Sequence, residues 1–528
     1  FTACGETSDA PSVTTAPEGQ GGSIESETVE TDTRFDGLDY DGREFRIYTS
    51  TNEASTMGTS NVFIEGSGQM GGGMVSDAVF ERNVRVEELL DVQLVFTQVD
   101  LRYDYVAADI RKYTTSGIDE FDLMINDIYS FSELLIEGNF RNVLDEDCVF
   151  DFERPYWYKD YMDDLRLMDG YQYVLAGDYF IDILRDAHLL LLNKQIYLDH
   201  YNRKADELYD VVTNFEWTYE KMNEIITDMY TDKNLNGTKD KGDQFGFMEP
   251  EFWGGSIPFS VSGNPTFISR DEDGYPTVVL HEGDRANQLA NAMGTLFNND
   301  SASVALTTDA DLLTAFTQDE CLIVGYQRLG SLENSILRQM EGDAAVLPYP
   351  MLFASDKKYT TSAHDTTEMG AILATSTDLA FISTVVEVLN RETARIVMPK
   401  YYDEGLQVRY VDDEKAAAMI DIIHDSIGGS FALAYSSYCS DIFMKNSFYE
   451  PLYAKKRDFV SLSHWIFMVL LYQSPNFASF FIQRVGQHAG ISTGSAQGAN
   501  LHRIEMAQLF AGGKNLGAQH TFGGDIVG

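Results

Sequence analysis

HLLLLN, residues 188–193, decides how the chain is divided. A short, continuous apolar run of this kind reads as a strand covered on both faces. Upstream of it, REFRIYTS (43–50) alternates like a strand. SDAVFERNVRVEELL (76–90) then spaces Val79, Asn83, Val86 and Leu90 for one helical face, with Ser76 placed to cap its start. VQLVF (92–96) is the next strand, a helix near 104–115 follows, and FDLMIN (121–126) is a buried strand. Strands alternating with helices predict a largely parallel sheet with both faces covered. At residue 188 the pattern restarts. WTYEKMNEIITDMY (217–230) sets Met222, Ile225, Ile226 and Met229 on one helical face. CLIVGY (321–326), AAVLPYP (344–350) and MGAILAT (369–375) read as strands, with helices near 378–391 and 413–427. Two α/β units follow from this repetition.

Composition narrows the function. The chain has 528 residues and is 44% hydrophobic, enough for two or three domains with sizeable cores. A net charge of −45 repels phosphate backbones, which argues against nucleic acid as a partner, and it leaves no basic patch for anionic lipid. No apolar run reaches the roughly 18 residues a membrane span needs. The longest, LLLL (189–192) and WIFMVLL (465–471), are core-sized.

DKNLNGTKDKGD, residues 232–243, spaces oxygen donors as a calcium loop does: Asp232, Asn234, Asn236, Asp240 and Asp243, with Gly237 at the sharp turn. The last position is Asp where a paired sensor loop has Glu, and QFGFM (244–248) follows as a strand where a sensor has a second helix. A structural calcium ion that braces the fold is therefore expected, and not a switch.

GSGQMG (66–71) matches GxGxxG, but the expected helix starts too late for a dinucleotide site, and no acid ends the next strand. GISTG (490–494) lacks the strand–turn–helix context of a nucleophile elbow. No catalytic constellation stands out, and no enzymatic role is expected. Aromatic and polar residues that follow strands are better candidates for a binding site. These are Trp253 in PEFWGGSIPFSVSG, Tyr326 and Arg328 after CLIVG, and Asp127 and Tyr129 after FDLMIN. Ligands of open α/β sheets bind outside the carboxyl ends of strands, and flat rings suit the apolar faces of sugars. For each of these residues the structural alternative is a packed aromatic or a surface charge.

Four cysteines, Cys4, Cys148, Cys321 and Cys439, form no CxxC pair or zinc spacing, and a disulfide among the last three stays open. Cys4 lies in FTACG, ahead of a polar stretch with seven acidic residues between Glu6 and Asp32. Such a stretch buries too little apolar surface to offset its ordering entropy. The pattern resembles a bacterial lipoprotein start, which implies lipidation of Cys4 and a membrane anchor without a span.

Taken together, the chain resembles an extracellular solute-binding protein of a bacterial ABC importer, in the carbohydrate-binding group (family 1) that includes maltose-binding protein, of clostridial type. The passages that carry this are DAVFERNVRVEELLDVQLVF, HLLLLNKQIY, FEWTYEKMNEII, DKNLNGTKDKGDQFGF, FTQDECLIVGYQRLGS, DAAVLPYP, EMGAILATSTDL and YYDEGLQVRYVDDEKAAAMIDII, in that order. The resemblance implies an α/β, two-lobe periplasmic-binding-protein-like fold (type II), each lobe a mixed sheet flanked by helices, with a hinge between them. It divides the chain into a tether (1–35), a first lobe (36–184 and 370–430), a second lobe (185–369 and 431–483) and an atypical tail (484–528). By family position Trp253 and Tyr326, with Gln327 and Arg328, fall where second-lobe sugar contacts sit; Asp127 and Asp178 fall near first-lobe hydroxyl-binding positions. The implied function is capture of a carbohydrate by hinge closure. The implied partners are ABC permease subunits at the outer face of the cytoplasmic membrane, with the receptor a monomer. A secreted carbohydrate-active enzyme with a structural calcium site is the competing class.

Overall fold

The computed structural model describes residues 33–51, 65–272, 274, 276–280, 282–306, 309–333, 337, 340, 343–401, 414–428, 431–435, 447–449 and 452. Cys4, the tether up to residue 32, Cys439 and the stretch after 483 lie outside the described residues.

The strands, in chain order, are β1 (Arg43–Ser50), β2 (Val92–Val99), β3 (Leu123–Asp127), β4 (Val174–Leu175), β5 (His188–Asn193), β6 (Phe245–Pro250), β7 (Ile268–Arg270), β8 (Pro276–Val278), β9 (Ala302–Leu306), β10 (Cys321–Arg328), β11 (Ala344–Leu347), β12 (Thr361–Ser362), β13 (Glu368–Ala371) and β14 (Ile427–Gly428). Two five-stranded sheets result, ordered β2-β1-β3-β13-β4 and β11-β5-β10-β6-β9. In the first, β1 runs parallel to β2 and β3, while β13 runs antiparallel to β3 and β4. In the second, β6 is parallel to β9 and β10, and β5 is antiparallel to β10 and β11. Both sheets are mixed and flanked by helices.

Strand β5 shows why the leucine run reads as it does. All four leucines are fully buried; Leu189 and Leu191 join one apolar cluster, Leu190 and Leu192 the other. Alternate side chains point to opposite faces, so a strand with four consecutive leucines needs cover on both. Each buried leucine is worth about 1.5–3 kcal/mol relative to exposure.

Helix starts follow local chemistry. Asp127 accepts from Ser130 N at 2.6 Å and caps the helix Ile128–Ile136. Asn193 caps Lys194–Tyr201, Thr218 caps Tyr219–Ile226, and Asp378 caps Leu379–Glu392. Two sequence expectations change here. The helix expected from Ser76 starts at Met74, and the Ser76 hydroxyl bonds the Gln69 backbone instead of capping. The helix expected over 217–230 spans only Tyr219–Ile226, because Thr227 turns extended and Asp228 adopts φ 62°. Met229 is still buried, its backbone nitrogen held by Ser301 Oγ. The GxGxxG stretch also finds a structural role. Gly68 sits at φ 63°, and a Cβ there would collide with the backbone nitrogen of Phe80. Glycine lets this loop lie against the helix.

The chain passes between the sheets along a narrow ribbon. Leu329 N donates to Ala187 O, and His364 N donates to Asp186 O, each at 3.0 Å. Ala187 bridges Ala363, and β12 pairs in parallel with β14. Ile128 N donates to Thr367 O, which carries the hydrogen bonding into the first sheet. The crossing stretches 186–188, 361–364 and 426–428 thus lie side by side. No helix of the described residues is long and apolar enough to cross a membrane.

Candidate functional site at the sheet ends

Both sheets meet the crossing ribbon through the carboxyl ends of parallel strands. In the first sheet this end is Asp127 of β3, opposite Glu368, the first residue of antiparallel β13. In the second it is Arg328 of β10, opposite His188, the first residue of β5.

The second-sheet end is closely bonded. Arg328 pairs with Asp186 at 3.2 Å, and both side chains are buried. His188 Nδ1 lies 2.9 Å from the Ser362 carbonyl oxygen, which assigns its proton to that nitrogen. Burial first, and then His364 and Arg328, push the His188 pKa well below the usual range, so this imidazole is neutral. The register of β10 on β5 shifts between Val324 and Gln327, and within this bulge Tyr326 takes φ 53°. Bulges re-aim side chains. Here the Tyr326 hydroxyl reaches His364 Nε2 at 2.5 Å, and its ring stands edge-on to Phe252 at 5.0 Å. Next to it, a Cβ on Gly325 would collide with the buried Glu249 carboxylate.

The first-sheet end is different. Asp127 is fully buried; one carboxylate oxygen caps Ser130, and the other has no partner among the described residues. Glu368 is equally buried, with one oxygen likewise unpartnered. Burial raises the Asp127 pKa to about 7 and carries Glu368 well above the carboxylate range. Asp182, Glu65, Asp127 and Asp186 add to the effect on Glu368.

The candidates named from the sequence occupy varied settings. Tyr326, Gln327 and Arg328 come together at the end of β10, all buried; Gln327 donates to Gly325 O and leaves its own amide oxygen unpartnered. Tyr129 is 38% exposed on the first turn after β3. Asp178 is buried near Tyr158 and His424, and burial raises its pKa to about 7. Trp253 opens a short 3-10 helix, Trp253–Ser256; its side chain lies outside the described residues. Sequence reading missed Glu368, His188, His364 and Glu249. A signal existed for two of them: Glu249 is the last residue but one, and Glu368 the first, of an otherwise apolar strand.

The candidate calcium loop is closed by its own side chains. Asp232 accepts from the backbone of Asn236 and Gly237, and Asp240 accepts from the amides of Asn234 and Asn236 at 2.7 and 2.6 Å. Asp243 is fully buried and accepts from Tyr230 OH and Lys233 N. Gly237 sits at φ 77°. Among the described residues no three His, Cys, Asp or Glu side chains converge as a metal cage. The donor set, three carboxylates and two amides, is of the kind a hard cation takes.

No family model matches the chain, and no curated protein matches it. Solved structures do. A cyclo/maltodextrin-binding protein complexed with maltotetraose aligns with a TM-score of 0.55 at 9% identity, covering 83% of this chain and 98% of its own. The maltose-binding protein MalE of Listeria monocytogenes, in complex with maltose, aligns at 0.52 and 12%, covering 82% and 99%. UgpB from Mycobacterium tuberculosis, in complex with glycerophosphocholine, aligns at 0.52 and 14%, again covering 82% and 99%. These neighbours are binding proteins. With two mixed sheets joined by a crossing ribbon, the chain has the two-lobe, periplasmic-binding-protein-like α/β fold of type II.

Proposed function

We propose that this protein is the extracellular receptor of an ABC importer, which captures a carbohydrate between its lobes and delivers it unchanged to a permease. The observation that carries this reading is the meeting of both sheets, by their carboxyl strand ends, at a ribbon of crossing segments. That is where α/β sheets hold ligands, and a ribbon a few residues wide suits hinge closure. The structural neighbours in complex with maltotetraose and maltose support a sugar as the solute. The ligand touches both lobes only when they are shut, so binding draws the population to the closed form.

Candidate sugar contacts are Tyr326, Gln327, Arg328 and Trp253 from the second lobe, and Asp127, Tyr129 and Asp178 from the first. A lipid on Cys4 would hold the receptor at the outer membrane face. A calcium ion held by Asp232, Asn234, Asn236, Asp240 and Asp243 would supply structural bracing alone. The loop closes against β6, joined to it through the Thr231–Gln244 bridge, and stands apart from the strand ends.

Incubation with a glycan panel tests the function. Saturable thermal stabilisation, with the sugar recovered intact by chromatography, is the expected result. Cleavage products would assign the enzyme class instead, and absence of any binding would remove the receptor reading.

A further inference from the structure

Asp127 and Glu368 face each other across the antiparallel pair of β3 and β13. Directly opposed residues in such a pair project to the same face with Cβ atoms about 4.5–5.5 Å apart, and like charges in that position repel. Both side chains are at most 1% exposed, and each leaves one carboxylate oxygen without a partner among the described residues.

The neighbouring acids are matched. Asp186 pairs with Arg328, and Asp182 with Arg185. Glu65 accepts from Ile181 N and lies in the field of Arg185 and Arg82. Asp365 pairs with His364 at 2.8 Å, and Asp104 with Arg102. No ion pair reaches Asp127 or Glu368 among the described residues. Two buried, opposed carboxylates without a cation must be neutralised. Protons do this in the free protein, in keeping with the raised pKa of both groups. Two carboxylates are too few to cage a metal ion, and no third acid converges with them as a metal site among the described residues. An ammonium group brings three N–H donors and one positive charge, which suits two acceptor oxygens.

We propose that Asp127 and Glu368 form a subsite for a protonated amino group, so that the captured solute is an amine-bearing sugar. This rests on the receptor reading above, whose lobe opening gives the solute access to the buried pair. On binding, the single positive charge of the ammonium replaces one proton of the pair, which leaves to solvent, while the other proton stays on the two carboxyls. Affinity therefore rises with pH up to about 7, where Asp127 ionises unaided. The other titratable groups around the pair are Glu65, Asp104, Asp182, Asp186 and Asp365. Of these, Asp182, Asp186 and Asp104 are held in ion pairs, and Asp365 lies 2.8 Å from His364 Nδ1.

The experiment is calorimetric titration of the full chain with chitosan oligosaccharides and with chitin oligosaccharides of equal length. They differ only in amine against acetamide, and maltooligosaccharides serve as an uncharged reference. The amine series should bind at least about tenfold more tightly, corresponding to one charge-assisted hydrogen bond or more. Titration in two buffers of different ionisation enthalpy should show proton release, with affinity rising by up to about tenfold per pH unit below pH 7. In D127N and E368Q the amine preference and the proton release should both vanish. Both substitutions keep side-chain shape, and the amide oxygen that D127N introduces can still cap Ser130, so a retained thermal transition certifies folding. Equal or tighter binding of the uncharged sugars overturns this subsite, leaves the receptor reading standing and assigns the unpartnered oxygens to water. Failure of all three series to bind overturns both.

Discussion

The two sheet ends at the crossing ribbon are built from similar parts, but their charges are matched to different degrees. At the second-sheet end, Arg328 meets Asp186, His188 meets Ser362, and Tyr326 meets His364, while the Gln327 amide oxygen and His188 Nε2, both uncharged, have no partner among the described residues. At the first-sheet end, Asp127 and Glu368 face each other with unpartnered oxygens. A buried charged group helps fix a single arrangement when it is paired, and it costs free energy when it is not. The first pattern is that of a joint, the second that of a site kept ready for something that arrives later.

The largest expected effect comes from breaking the joint. Arg328→Met leaves Asp186 as an uncompensated buried charge, which costs about 3–5 kcal/mol and would show as a lowered denaturation midpoint in urea. The opposite sign is expected at the other end. Glu368→Gln and Asp127→Asn remove unmatched buried acids and should raise the midpoint at neutral pH.

The pH profile separates the two ends further. The folded-state pKa of Asp127, about 7, lies above its unfolded value near 3.8. The folded state therefore holds an extra proton between these values. Stability from this group is fully present below about pH 4 and is lost as pH rises to about 7. Asp127→Asn should flatten that part of a thermal-melt profile. Asp178→Asn should do the same, since its pKa is raised into the same range by burial.

Smaller effects test the details. Tyr326→Phe removes the hydrogen bond to His364 and should cost about 0.5–1.5 kcal/mol in chemical denaturation. Chelation should lower the melting temperature by an amount equivalent to about 1 kcal/mol at millimolar calcium, with sugar affinity at low temperature nearly unchanged. Loss of sugar binding by a chelated but folded protein would move the ion from brace to binding site.

Local patterning made much of the fold legible in the sequence. REFRIYTS became β1 over Arg43–Ser50, and the leucine run became a strand covered on both faces. Periodicity misplaced the end of the helix at Ile226, because Met229 keeps a helical spacing after the backbone has turned at Asp228. The site was less legible. Tyr326, Gln327, Arg328 and Asp127 could be picked out because they follow apolar runs. Glu368 stands at the edge of an apolar run as well, but its pairing with Asp127 was not legible, since Asp127 lies in a distant stretch and spacing along a chain does not say which strands pair. The crossing histidines escaped for the same reason: His188 and His364 matter through contacts with Ser362 and Tyr326 that only the folded chain creates.

Capture of the solute requires closure of the lobes around it. Spin labels at two exposed positions, Ile118 in the first lobe and Leu235 in the second, would report it by pulsed electron resonance, in a variant whose Cys4, Cys148 and Cys439 are replaced. Saturation with the sugar that stabilises the protein should shorten the distance between labels by several Å, with the sugar recovered intact. An unchanged distance distribution at full saturation would contradict it.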